Sequence, residues 1–83
     1  MPRIRIEVNG VFNRRLIRKN ILIDIPETAA TDTLLRIIGC QLKLKDTFEG
    51  SPIILLNGRR IDSGELRLSE GDTLSLLSPL TGG

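Results

Sequence analysis

The side chains of this sequence offer little for catalysis. There is no His, one Cys (Cys40), no Trp and no Tyr. Without His, the Ser-His-Asp and Cys-His forms of nucleophilic chemistry and most zinc sites are excluded. A single Cys can form neither an internal disulfide nor a Cys-based metal cage. No paired carboxylates stand out as a general acid and base. With two Phe as the whole aromatic complement, a base-stacking platform is not expected either. The group best suited to react belongs to the main chain. The sequence ends on Gly82-Gly83, and a terminal carboxylate, with an unperturbed pKa of about 3.3–3.7, is ionised at neutral pH and able to attack the α-phosphate of ATP. The span 78–83 reaches about 20 Å when extended. Glycines lack a Cβ and accept backbone angles that other residues refuse, so such an arm suits a narrow channel on another protein.

The bulk properties agree with a non-catalytic globular body. Eighty-three residues at 9.2 kDa correspond to one domain with a thin core. The hydrophobic fraction of 40% and charged fraction of 27% are those of folded chains. A net charge of +2 is too balanced for a nucleic-acid wrapper or a polybasic membrane binder. No apolar run approaches the length of a membrane span, and the chain opens directly on a strand pattern, so neither a transmembrane segment nor a signal peptide is expected. The expected location is the cytoplasm.

Several elements must position the arm. Residues 3–8 alternate polar and apolar, predicting a strand with Ile4, Ile6 and Val8 inward. Asn9-Gly10 supplies a turn signal. The stretch 11–20, with Arg14, Arg15, Arg18 and Lys19 around Leu16-Ile17, reads as a hairpin connection or the frayed start of a second strand; its cations fit a solvated turn or an anion site. Ile21-Leu22-Ile23-Asp24-Ile25 alternates again until Pro26 ends it.

From Thr28 to Leu44 the period becomes helical. Thr31 before Asp32 is the expected start, because a Thr oxygen can accept an orphan first-turn amide. Leu35, Ile38 and Leu42 form the apolar stripe, bordered by Leu34. Lys43 and Lys45 fall where the helix dipole favours cations. Gly39 permits close packing or weakens the last turn. Cys40 lies opposite the stripe, as an exposed incidental thiol or a redox or sulfur-relay group.

Beyond a polar connection with Asp46, Glu49 and Gly50, Ile53-Ile54-Leu55-Leu56 is a short apolar strand closed by Asn57-Gly58. Arg59-Arg60-Ile61 is a brief return strand, followed by turns at 62–64 and 69–72. Thr73-Leu74-Ser75-Leu76-Leu77 is the last strand, and Pro79 ends it. The order strand, strand, helix, strand, short strand, strand predicts an α+β fold, a β-grasp with a four- to five-stranded mixed sheet packed on one helix, joined through a right-handed crossover. The body spans 1–77, and 78–83 is a flexible tail.

The stretch Ile53 to Gly83 resembles the C-terminal third of the MoaD/ThiS sulfur-carrier family, which is ubiquitin-like. The resemblance rests on the apolar strand before Asn57, on Leu68-Ser69-Glu70-Gly71-Asp72-Thr73-Leu74, and on Leu76-Leu77-Ser78-Pro79-Leu80-Thr81-Gly82-Gly83. The spacing Leu-x-x-Gly-Asp-x-Leu before Pro-Leu-Thr-Gly-Gly is most similar to the small subunit of molybdopterin synthase. Leu76, Leu77 and Ser78 depart from that branch, which often has aromatics and a second proline there; Asn57-Gly58-Arg59-Arg60 looks closer to the thiamine branch or to archaeal ubiquitin-like modifiers.

The resemblance implies a carrier that is not an enzyme and binds no cofactor itself. A ubiquitin-activating-type adenylating enzyme, using Mg·ATP, would form an acyl-adenylate on Gly83. A sulfur donor would convert it to a thiocarboxylate, and a synthase large subunit or other acceptor enzyme would take the sulfur for molybdopterin (Mo/W cofactor) synthesis. Gly83 is then the covalent site and Gly82 gives channel clearance. Thr81, Leu80 and Pro79 form the remainder of the recognised arm. The same residues also fit a thiamine-type carrier, a ubiquitin-like modifier conjugated through Gly83, or a plain binding module. No nucleic-acid or membrane partner is expected. Leu77, with two of Ile53–Leu56, should point away from the helix, framed by Arg3 and Arg5 on the neighbouring strand, as a docking patch.

Overall fold

The computed structural model describes residues 1–12, 14–43, 52–62 and 64–78. Its first strand, β1 (Arg3–Phe12), pairs antiparallel with β2 (Arg15–Asp24) over its whole length, from Arg3 opposite Asp24 to Phe12 opposite Arg15. The alternation that opens the sequence therefore runs on through Gly10 to Phe12. Ile4, Ile6, Val8 and Phe12 are all buried. The expected turn at Asn9-Gly10 is not there. Both residues lie within the ladder, and the chain reverses between Phe12 and Arg15, where Arg14 has a φ of 65°. The alternating apolar side chains outweigh a local turn preference, because a reversal at Asn9 would strip Phe12 from the core.

Three short elements follow: β3 (Thr28–Ala30), the helix α1 (Thr31–Gln41) and, after an interval, β4 (Ile53–Leu56). Then come β5 (Arg59–Ile61), β6 (Glu65–Arg67) and β7 (Thr73–Leu77). The main sheet has five strands in the order β2-β1-β7-β4-β5. It is mixed, since β7 runs parallel to β1 whereas β4 is antiparallel to both β7 and β5. Among the described residues α1 is the one helix, and its Leu34 and Ile38 join the cluster built from Ile4, Ile6, Val8, Ile54, Leu74 and Leu76. The architecture is thus a small α+β fold with a helix across one face of a mixed sheet.

A second, two-stranded sheet of β3 and β6 was not expected. It seats Ala29 and Leu66 in the core, and the Leu68 N–H donates to the Glu27 carbonyl at 2.7 Å beside it. Three-residue strands carry too little sequence for a period-two pattern to register.

The helix also differs in detail. Ala30 is its N-cap, with no side-chain cap bond. Thr31 is buried as the first helical residue, its N–H donating to the Gly64 carbonyl at 2.8 Å, with a longer contact of 3.5 Å from the Gly64 N–H back to Thr31 Oγ1. The buried stripe is Leu34 and Ile38, while Leu35 and Leu42 are only half-buried, so the helix is turned relative to the stripe read from spacing. It ends at Gln41, with Leu42 as C-cap. Lys43 then takes a left-handed φ of 59° and donates its N–H to the Cys40 carbonyl, so the last turn itself holds no basic residue. Gly39 is buried, yet among the described residues nothing lies within 4 Å of where a Cβ would be. Close packing against these neighbours therefore does not require it. Lys45, Asp46, Glu49, Gly50, Ser63 and the arm residues Pro79, Leu80, Thr81, Gly82 and Gly83 lie outside the described residues.

Candidate functional site

The last strand among the described residues is β7. This strand is enclosed between β1 and β4, so its backbone is paired on both sides. Its inward residues Leu74 and Leu76 are fully buried, each contributing about 1.5–3 kcal/mol by burial. The strand start is held by a knot of polar bonds. Asn57, at a left-handed φ of 52°, donates its N–H to the Thr73 carbonyl at 2.8 Å and accepts the Thr73 N–H on Oδ1 at 2.9 Å. Its Nδ2 donates to Asp72 Oδ1 at 3.1 Å, and Asp72 Oδ2 accepts the Ser69 N–H at 2.8 Å. The segment Asn57-Gly58 and the turn 69–72, both quoted in the resemblance, thereby form one bonded unit that fixes where β7 enters the sheet.

Its far end is fixed by packing. The parallel register with β1 runs from Arg5 opposite Thr73 to Asn9 opposite Leu77. Beyond it, Gly10 touches Ser78 so closely that a Cβ on Gly10 would lie 2.5 Å from Ser78 Cβ. Ser78 is 2% exposed. It is therefore packed against the body at the position where the tail was expected to start. Gly10 is the residue that sequence reading missed. The signal was present, since Gly10 occupies an inward position in the run Ile4, Ile6, Val8, Gly10, Phe12, and a strand glycine marks close backbone approach.

The outer sheet face is open. Leu77 pairs with Asn9 on one side and Ile53 on the other, and Ser75 pairs with Glu7 and Leu55. Leu77, Ile53 and Leu55 thus share this face, each half-buried. Arg5 shares it too but pairs with Thr73, four residues from Leu77, or roughly 13 Å at the strand rise. The acid Glu7 lies between them, accepting the Ser75 hydroxyl at 3.2 Å. Arg3 is farther still and occupied: its Nε donates to Asp24 Oδ1 at 3.1 Å, and its backbone N–H donates to Glu70 Oε1 at 2.8 Å. The hydrogen bond and charge of Asp24 raise the Arg3 pKa above its ordinary value. The structure therefore brings Leu77, Ile53 and Leu55 together and sets Arg3 and Arg5 at the opposite end of β7. The cation nearest Leu77 in the ladder is Arg18, opposite Asn9. With Glu7, Asn9, Ser75 and Leu77, it lines a shallow groove of about 450 Å³.

Elsewhere, Cys40 is exposed. Among the described residues, no three His, Cys, Asp or Glu side chains converge on a point that could hold a metal ion, and no helix is long and apolar enough to cross a membrane. No protein-family model matches the chain, and no characterised protein compared with it matches.

Proposed function

We propose that this chain is a ubiquitin-like β-grasp sulfur carrier, a cytoplasmic relative of the MoaD/ThiS family nearest to the molybdopterin synthase small subunit, with Gly83 as its reactive residue. The carboxylate of Gly83 attacks the α-phosphorus of Mg·ATP on an adenylating partner, forming the acyl-adenylate and expelling pyrophosphate. A sulfur nucleophile at the oxidation level of sulfide then attacks the carbonyl carbon. A C–S bond forms, AMP leaves, and a thiocarboxylate remains for the acceptor enzyme of molybdopterin synthesis. The chain supplies the carried group and no catalytic side chain. Gly82, Thr81, Leu80 and Pro79 thread the partner's channel, and the outer face around Leu77, Ile53 and Leu55 docks against the partner's body.

One observation carries the reading. The last strand lies inside the sheet and is followed by a buried Ser78 packed against Gly10, so the chain reaches Pro79 from a packed base. A terminal arm used as a probe needs such a base, because slack at its root would cost orientation at its tip.

Intact mass of the chain recovered from its native cell tests the proposal. A gain equal to the difference between sulfur and oxygen, lost on deleting Gly83, is the expected result. Ladders of covalent conjugates through Gly83 would instead favour the protein-modifier reading. Full biological activity after deletion of Gly82 and Gly83 would leave only a binding module.

A further inference from the structure

The edge of the sheet formed by β5 carries its own complement. This strand pairs with β4 alone, so its outer side is unpaired. The hairpin fixes where its backbone groups point. Asn57 donates its N–H to the Thr73 carbonyl, so its polar groups face β7, and those of Leu56 face β5. Leu56 opposite Arg59 is then a hydrogen-bonded pair, Leu55 opposite Arg60 a non-bonded pair, and Ile54 opposite Ile61 a bonded one. The N–H and C=O of Arg60 therefore point outward across the free edge, and by the same alternation so do those of Asp62. Among the described residues neither meets a backbone partner there.

The side chains along this edge alternate as well. Ile61 opposes Ile54 on the core side and is half-buried. Arg60 opposes Leu55 on the outer side, and Asp62 follows two residues on, in the position that shares that face. Arg60 and Asp62 are both exposed. A groove of about 480 Å³ is lined in part by Ile61, Leu35 and Pro52, which leaves aliphatic surface open on the core side of the edge.

We infer that two copies of this chain pair through β5, antiparallel about a two-fold axis at Ile61. An axis perpendicular to the sheet sets residues of the same face opposite each other, which leaves two registers to compare. Centred on Arg60, the pairing would oppose two like cations. Centred on Ile61, it sets each Arg60 opposite Asp62 of the other copy, twice over by symmetry. The backbone agrees with the charges. Arg60 and Asp62 are the positions whose N–H and C=O groups point outward, so the two copies exchange four bonds there, with the Ile61 residues as the close non-bonded pair between them. The two isoleucines then cover each other at the mouths of the two grooves. Pairing β5 with β2 of another copy would instead bring Arg59 and Arg60 toward Arg15, Arg18 and Lys19, and such a contact does not close. The two-fold pairing leaves the face around Leu77 open, so it stands or falls apart from the chemistry of Gly83.

A contact of so few residues is weak. Sedimentation equilibrium of the full chain should show the average mass rising from one chain toward two between about 10 μM and about 1 mM. Asp62→Arg and Arg60→Asp, both at exposed positions, each set like charges opposite one another, and each alone should weaken pairing about tenfold or more. An equimolar mixture of the two variants restores the complement and should recover the parent's association. Asp62→Asn serves if a reversed variant does not fold, with a smaller loss expected. A single-chain mass at the highest concentration, no weakening by any of these variants, no recovery in the mixture of folded variants, or growth beyond two chains would each overturn the inference.

Discussion

Gly10 and Ser78 meet across β1 and β7 with no room for a side chain on the glycine: a Cβ there would fall 2.5 Å from Ser78 Cβ and 2.8 Å from its backbone nitrogen. The φ of Gly10, +148°, is also one that other residues rarely adopt. Gly10→Ala should therefore destabilise the domain by about 2–4 kcal/mol, combining backbone strain with overpacking. Urea denaturation measures it. A change of less than about 0.5 kcal/mol, the range of ordinary surface substitutions, would mean the two strands part at little cost.

The Asn57–Asp72 knot makes a second prediction. Asp72→Ala removes the acceptor of the Ser69 N–H and of Asn57 Nδ2, so a loss of about 1–2 kcal/mol is expected. Asn57→Ala should cost at least as much, since it deletes the bonds to Thr73 and Asp72 and leaves a left-handed backbone without the residue type that tolerates it. Asn57→Gly should recover part of that loss. Equal stability of the alanine and glycine variants would argue against the backbone contribution.

The rotation of α1 can be checked by truncating neighbouring residues. Leu34 is 1% exposed, whereas Leu35 is only half-buried at the edge of the core. Leu34→Ala should cost about 3 kcal/mol or more, and Leu35→Ala about half that or less. Thermal or urea unfolding of the two variants distinguishes them, and the reverse order would restore the stripe read from spacing.

On the outer face, Leu77→Asp should raise the KM for an adenylating partner by about tenfold or more without unfolding the domain, measured by pyrophosphate exchange with Mg·ATP. Arg5→Glu, at the far end of β7, should change it less. An unaltered KM for both variants would remove this face from the docking surface.

Arg3 yields a prediction about pH. Its pKa is raised, first by the hydrogen bond it donates to Asp24 and then by that residue's charge. A raised cation contributes stability fully below its unfolded pKa and loses it only as pH climbs through the folded value. For an arginine both lie above the working range, so ionisation of Arg3 should leave stability level from about pH 6 to 9. Comparing the slope of stability against pH for the parent and Arg3→Gln checks this; a difference within that window would count against it.

Much of this architecture is local and legible. The alternation in 3–8, 21–25 and 73–77 and the helical period after Thr31 each need only a few consecutive residues to declare themselves. So do the turns at Asn57-Gly58 and at 69–72. The mutual position of Arg5 and Leu77 was harder to see, because adjacency of two strands says nothing of their register, and a register shift moves every pair at once. The pairing of β3 with β6 depends on partners more than thirty residues apart and leaves no pattern in either strand.

The residues alone thus determined the alternating strands at 3–8, 21–25 and 73–77 and the helix after Thr31, because periodicity is a property of the chain taken piece by piece. They also supplied the diglycine end on which the proposed chemistry rests. Tertiary structure decided what Gly10 is for, which helix residues are buried, and that Ser78 is clamped into the body. Each of these depends on which distant backbone or side chain comes to lie alongside, and no local preference encodes that.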